Sequence, residues 1–259
     1  MKKWGTVTTA QEQGPRSHQE DRFDEILVGI DGDPYGCLLV VMDGHSGFEA
    51  VDLCAKELQN LFVPRPFDEG EESLRDLVGK LDRLTRSCES GTTFSAALIM
   101  RSETRKMCRA TIAILGDSPV MVVRKLNRVW LSPEHNVRSN LAEREAAIRR
   151  GGFCENGYLF QERSDLANGL QMSRALGDRE LSHVLCREPE IFTIDDPQWV
   201  LVASDGISDP NHEEAGFPFV KMGSRWNRDC ATAERVMKWR VRRGLRDNAT
   251  AVVWNAPNK

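Results

Sequence analysis

Four acidic residues stand where apolar, strand-like runs stop or start. Leu38–Met42 leads into Asp43-Gly44-His45, Thr111–Leu115 into Gly116-Asp117-Ser118, and the run from Trp199 into Asp205-Gly206, while Asp247-Asn248 comes just before Ala249–Trp254. A single Asp-Gly after a strand is ordinary turn chemistry. Several carboxylates converging at one end of a sheet repel one another unless cations lie between them, and hard oxygen ligands suit Mg2+ or Mn2+ better than Zn2+. The pattern therefore predicts a divalent metal site.

The elements that must position these acids are legible from periodicity. Trp4–Ala10, Phe23–Ile30 and Leu38–Met42 read as strands, the last two joined by the hairpin-turn residues Asp31-Gly32-Asp33-Pro34-Tyr35-Gly36. Helical spacing follows in Val51, Cys54, Ala55, Leu58 and Leu61, and again in Leu74, Leu77, Val78, Leu81 and Leu84 after a break at Pro64 and Pro66. Thr93–Met100, Met107–Leu115, Val120–Val123, Val129–Leu131, Ile191–Ile194, Trp199–Ala203 and Ala249–Trp254 add strands, and Ala233–Val241 another helix. A helix over Leu141–Arg150 is stopped by Gly151-Gly152, and the polar, aperiodic stretch that follows, to Asn168, reads as a mobile surface excursion. Strands and helices are segregated rather than alternating, so the expected class is α+β with antiparallel sheets. No linker or repeat divides the chain, so one domain over 1–259 is expected, with a flap-like excursion at 137–168.

Seven segments, in order along the chain, give a more specific likeness: Arg16-Ser17-His18-Gln19-Glu20-Asp21, Val41-Met42-Asp43-Gly44-His45-Ser46-Gly47, Ser90-Gly91-Thr92-Thr93, Leu115-Gly116-Asp117-Ser118, the run from Leu170 to Asp178, Ala203-Ser204-Asp205-Gly206-Ile207-Ser208-Asp209, and Arg246-Asp247-Asn248. Together they resemble the metal-dependent protein serine/threonine phosphatases of the type 2C family. The resemblance implies an α-β-β-α sandwich of two antiparallel sheets flanked by helices, with a cleft for two Mn2+ or Mg2+ ions at one end. It implies that Asp43 bridges both metals, that Gly44 offers its carbonyl, that Asp205 and Asp247 hold the first metal and that Glu20 helps hold the second. Asp117 and Asp209, with Asp205, match the positions of a third, weaker metal. Arg16 would grip the substrate phosphate through its fork of donors, and His45 would protonate the departing seryl or threonyl oxygen as hydroxide bridging the two metals attacks phosphorus. Gly91-Thr92-Thr93 and Ser173–Asp178 would serve as packing and turn elements of the sheet core, with Gly177 and Asp178 supporting the site from behind. Pro119 stands where relatives usually have Arg, and Ser208 where they have Trp; neither is a ligand position.

Composition narrows the alternatives. With 40% hydrophobic and 29% charged residues the chain has the make-up of an ordinary globular protein, and a formal charge of −4 without a basic stripe argues against nucleic acid as partner. No apolar run is long enough to span a membrane. No export signal or lipidation site is read at either end, and the seven scattered cysteines form neither a disulfide framework nor a zinc motif, which points to the cytoplasm or nucleus. Phosphoproteins are the expected partners of a monomer. Asp31-Gly32-Asp33 imitates an aspartyl-phosphate loop, but Pro34-Tyr35 spoils it. No cysteine has an Arg six positions on, and neither a Gly-x-Ser-x-Gly elbow nor a Walker loop is present. The remaining rival is a catalytically inactive scaffold of the same family that binds a protein partner. Histidines 18, 135, 183 and 212 are expected to play no chemical role.

Overall fold

Residues 21–45 and 94–115 each fold into a long antiparallel hairpin, because only a few residues separate the two strands of each. A computed structural model describes residues 5–30, 33–102, 104, 107–164, 167–208, 217–226 and 231–257. One sheet contains β1 (Thr6–Glu12), β7 (Val120–Arg124), β8 (Arg128–Leu131), β13 (Pro197–Ala203) and β14 (Ala249–Asn255) in the order β1-β14-β13-β7-β8. The other contains β2 (Asp21–Ile30), β3 (Asp33–His45), β4 (Gly91–Thr92), β5 (Phe94–Ser102), β6 (Met107–Leu115), β11 (Leu176–Gly177) and β12 (Glu190–Asp195), in the order β11-β4-β3-β5-β6-β12 with β2 on β3.

The two sheets face each other across a dry layer. Cys37, Leu39, Val41, Ala97 and Ile112 meet Val120, Val200, Val202, Val252 and Trp254, all fully or almost fully buried. Alternation sends the next residues of β3, Leu38, Val40 and Met42, to the opposite face, where they pack under α1 (Glu49–Leu61) and α2 (Gly70–Thr85). The outer face of the first sheet is covered by α5 (Phe217–Arg225) and α6 (Ala233–Val241), through Phe219, Met222, Val236 and Met237. A strand buried on both faces reads as a continuous apolar run, which is why Cys37–Met42 lacks alternation. The layers are those of the expected α-β-β-α sandwich.

The segment after Val137 is more ordered than its polarity suggests. Helix α3 (Leu141–Arg149) is capped by Asn140, whose side chain accepts from the Glu143 amide at 3.3 Å, and a small hairpin of β9 (Phe153–Glu155) and β10 (Tyr158–Phe160) follows. Few apolar residues suffice because they are concentrated: Val137, Ala147 and Leu159 are fully buried against Ala175, Leu181, Val184 and Leu185. Glu143 fastens this unit to the body. It accepts from the Ser173 hydroxyl and from Arg174, at 2.5 and 3.1 Å. Burial alone would raise the Glu143 pKa, but the bonds from Arg174 and Ser173 hold it down, to about 2 against an ordinary 4.5. A depressed carboxylate pKa gives stability that is present above about 4.5 and lost as pH falls through about 2. Glu143→Gln is therefore expected to cost about 1–3 kcal/mol at neutral pH. In thermal melts the gap to wild type should close between pH 4.5 and pH 2.

Candidate active site

The acids collect where the strands of both sheets end, and the β2–β3 hairpin makes the central contact. Its register places Asp21 directly opposite Asp43, so two carboxylates share one face of the pair, an arrangement that is unfavourable for like charges without compensation. Asp43 is anchored through its backbone: its amide donates to Thr93 Oγ1 at 3.0 Å, and its carbonyl accepts from the Thr93 amide at 2.9 Å and Thr92 Oγ1 at 3.1 Å. Gly44 is required by close approach. Its amide lies 3.3 Å from the Glu20 carbonyl, and a Cβ there would collide with that oxygen and with Val51.

Asp21, which closes the segment Arg16–Asp21 in the sequence and has no separate role there, is among the most buried charges, 1% exposed. Ser204 Oγ and Thr250 Oγ1 both donate to its Oδ2, at 2.8 and 2.7 Å, while Oδ1 is buried with no hydrogen-bond partner. Burial raises its pKa, the two hydroxyls lower it, and Asp205 and Asp247 raise it again, to about 7. Asp43 is likewise pushed well above the carboxylate range, first by burial and then by Asp21, Asp205, Asp117 and Asp247. Asp205 opens the short helix α4 (Asp205–Ser208) directly after β13. Asp247 precedes β14, its Oδ1 accepting from the Asn248 amide at 2.7 Å and its Oδ2 from Arg16 at 2.6 Å. Asn248 ties this end to the first loop, accepting from the Glu20 amide and donating to the carbonyls of Gln13 and His18.

Asp117 is held by Asn136, whose Nδ2 donates to its Oδ2 at 3.1 Å, and the neighbouring Gly116 amide donates to His135 Nδ1 at 3.1 Å. His135 thus has a structural duty, as a buried acceptor that shapes this loop. Asp209 and His212 lie outside the described residues. Arg16 is 52% exposed and paired with Asp247, so an arriving anion finds it within the site but already engaged.

His45 lies beside the carboxylates with Nε2 2.9 Å from both oxygens of Asp178, while Nδ1 is buried and has no hydrogen-bond partner. Burial would lower the His45 pKa, but Asp178, with smaller pulls from Asp117 and Glu20, more than offsets it and the net direction is upward. Asp178 takes a left-handed conformation, φ 48°, with its amide on the Ser90 carbonyl at 3.0 Å. A cleft of about 380 Å³ adjoins the pair, bordered by Ser46, Glu89, Asn168, Gly169 and Glu180. Gly91 leaves room for the His45–Asp178 contact: a Cβ there would overlap Asp178 Oδ2 and His45 Nε2. Gly91→Ala is expected to push both side chains aside and lower kcat for a phosphopeptide by about 10²-fold, with a circular dichroism spectrum like that of wild type.

Among the described residues, one group brings three metal-ligating atoms within 4.8 Å of one another, and it is His135, Glu143 and Glu190. The Arg174 guanidinium already supplies the cation there, on Glu143 and, at 3.5 Å, on Glu190. The strand-end acids differ in having surplus negative charge. Facing Asp21 and Asp43, the orphaned Asp21 Oδ1 and raised carboxylate pKa values fit a site for divalent cations with hard oxygen ligands.

The family model described as Protein phosphatase 2C matches residues 13–249. The chain belongs to the protein phosphatase 2C family. With it, the chain belongs among the protein serine/threonine phosphatases. It is 28% identical to "Probable protein phosphatase 2C 69" of Arabidopsis thaliana, the match covering 94% of this chain and 68% of that protein. It is also 28% identical to Protein phosphatase 1L of Bos taurus, over 93% and 69% of the two chains. The fold matches the crystal structure of a serine-threonine phosphatase 2C from Toxoplasma gondii with a TM-score of 0.72 at 19% identity, covering 98% of this chain and 95% of that one. A C. elegans sex determining protein superimposes with a TM-score of 0.73 at 26% identity, over 98% and 65% of the chains.

Proposed function

We propose that this phosphatase hydrolyses phosphoserine and phosphothreonine in proteins, using Mn2+ or Mg2+ held by Asp43, the Gly44 carbonyl, Asp205, Asp247 and Glu20. Asp117, with Asp205 and Asp209, would hold a third cation more weakly. The observation that carries the reading is the facing pair Asp21 and Asp43, set among further carboxylates and next to His45–Asp178. Such cations, when bound, bring the pKa of a water toward neutrality and offset the charge of the phosphate.

The chain's own groups supply the rest. Asp21, with its Oδ2 fixed by Ser204 and Thr250, keeps Oδ1 without a partner, and this oxygen would be an acceptor for the attacking water. Arg16, exchanging Asp247 for the substrate, holds phosphate oxygens through its planar fork. Asp178 fixes the His45 ring at Nε2, so that Nδ1 is the atom that gives its proton to the leaving oxygen, a division of labour between the two ring nitrogens like that of other carboxylate–histidine pairs.

The test is phosphate release from a phosphothreonine peptide with and without Mn2+ or Mg2+, beside Asp205→Ala. Metal-dependent turnover lost in the variant is expected. Absence of turnover by folded, metal-loaded protein would refute the enzymatic reading and leave a scaffold.

A further inference from the structure

Although the chain is acidic as a whole, with a net charge of −4, the segment that leads into Asp247 is basic: Lys238-Trp239-Arg240-Val241-Arg242-Arg243-Gly244-Leu245-Arg246. It begins in the last turns of α6, rounds Gly244 at φ 90° and ends at the candidate site. Arg240 is buried and ties off the helix, donating to the Gly244 carbonyl at 2.9 Å. Lys238, Arg242, Arg243 and Arg246 are exposed. None of them has a carboxylate at ion-pair distance among the described residues; Arg243 instead lies over the Trp239 ring, 4.4 Å from its centroid, and donates to the Trp239 carbonyl at 3.0 Å.

Helix stability accounts for only part of this. Cations in a last turn are favoured by the helix dipole, which covers Lys238 and Arg242, although these two repel each other at i, i+4. Arg243 and Arg246 lie beyond α6. Arg246 adjoins Asp247, whose carboxylate takes Arg16 from the facing loop. Arg243 is four residues from Asp247, hence within about 14 Å of it along the chain. A substrate peptide extended at about 3.3 Å per residue crosses that distance in about four residues.

We propose that this strip is a specificity surface, which receives acidic side chains lying within about four residues of the phosphorylated Ser or Thr. The inference rests on the phosphatase reading and names the substrate class. Its charge complementarity acts on capture of the peptide and leaves the chemical step alone.

The experiment compares two phosphothreonine peptides of one length, with Glu or with Gln at the flanking positions, and p-nitrophenyl phosphate, which has no flanks. Wild type is set beside the triple variant Arg242→Gln, Arg243→Gln, Arg246→Gln. KM for the Glu peptide should lie about tenfold below that for the Gln peptide in wild type and within about twofold in the variant, with a steeper salt dependence for wild type. Turnover of p-nitrophenyl phosphate and the Gln peptide should be unchanged. Equal KM values in wild type, or a preference that survives the triple substitution, would overturn the proposal. If p-nitrophenyl phosphate is not hydrolysed, the phosphatase reading fails on its own. Fluorescence anisotropy of the labelled peptides then still reads the strip: tighter binding of the Glu peptide to wild type than to the variant upholds it, and equal binding overturns it.

Discussion

Asp43→Asn is expected to cut phosphate release by about 10³-fold or more and, at the same time, to raise the melting temperature of the metal-free protein. The two effects have one cause. Asp43 is directly opposite Asp21 and within the field of Asp205, Asp117 and Asp247, and burial together with these charges drives its pKa well up. In the absence of cations the folded chain bears that repulsion, and an isosteric amide removes it. The gain should be about 1–2 kcal/mol, or about 2–8 °C for a chain of this size. The backbone bonds that hold residue 43, to Thr92 and Thr93, do not depend on the carboxylate, so the substitution leaves the hairpin in register. Mn2+ reverses the order: wild type should gain about 3 kcal/mol at a hundredfold excess over its dissociation constant, and the variant far less. Thermal melts with and without Mn2+, read beside phosphate release, check the prediction. A metal-free variant less stable than wild type would show that the acids are not under mutual repulsion.

How much of this could be read from the residues depends on the range of the interaction. Cys37–Met42 and Met107–Leu115 are readable as strands because their burial is set by local apolar runs, and the hairpin between Ile30 and Asp33 is confirmed by its pairing. Asp43, Asp205 and Asp247 stand out because each interrupts or adjoins such a run. Asp21 does not: it looks like one half of Glu20-Asp21 until the hairpin register, which includes an irregularity at Val28/Gly29, sets it against Asp43. The bonding roles of Asn248 and Asn136 are hidden for a similar reason, since their partners Glu20 and Asp117 are remote or belong to another loop. The segment beyond Val137 misleads in the other direction. Its order comes from a few buried side chains and from Glu143 on Arg174, contacts between residues about thirty positions apart that no periodicity records.

His45→Gln should separate substrates by their leaving groups. A seryl or threonyl oxygen departs poorly without a proton, so loss of the donor should lower kcat for a phosphothreonine peptide by about 10²–10⁴-fold. p-Nitrophenolate needs no such help, and its phosphate ester should lose less than about tenfold. Asp178→Asn tests the pairing itself. Nε2 of His45 would then face an amide in place of two carboxylate oxygens at 2.9 Å. The main upward pull on the His45 pKa would disappear, leaving burial opposed only by the smaller pulls of Asp117 and Glu20, so the ring would hold its second proton less tightly. The asparagine variant should therefore reproduce the leaving-group discrimination of His45→Gln at a smaller size, about 10-fold to 10²-fold on the peptide. If both substrates slowed equally in His45→Gln, His45 would be shaping the site and not giving a proton. If only Asp178→Asn slowed them equally, Asp178 would be acting through the pairing of β11 with β4, beside which its amide meets the Ser90 carbonyl at 3.0 Å. The ratio of the two rates, measured on the two variants, distinguishes proton donation from positioning.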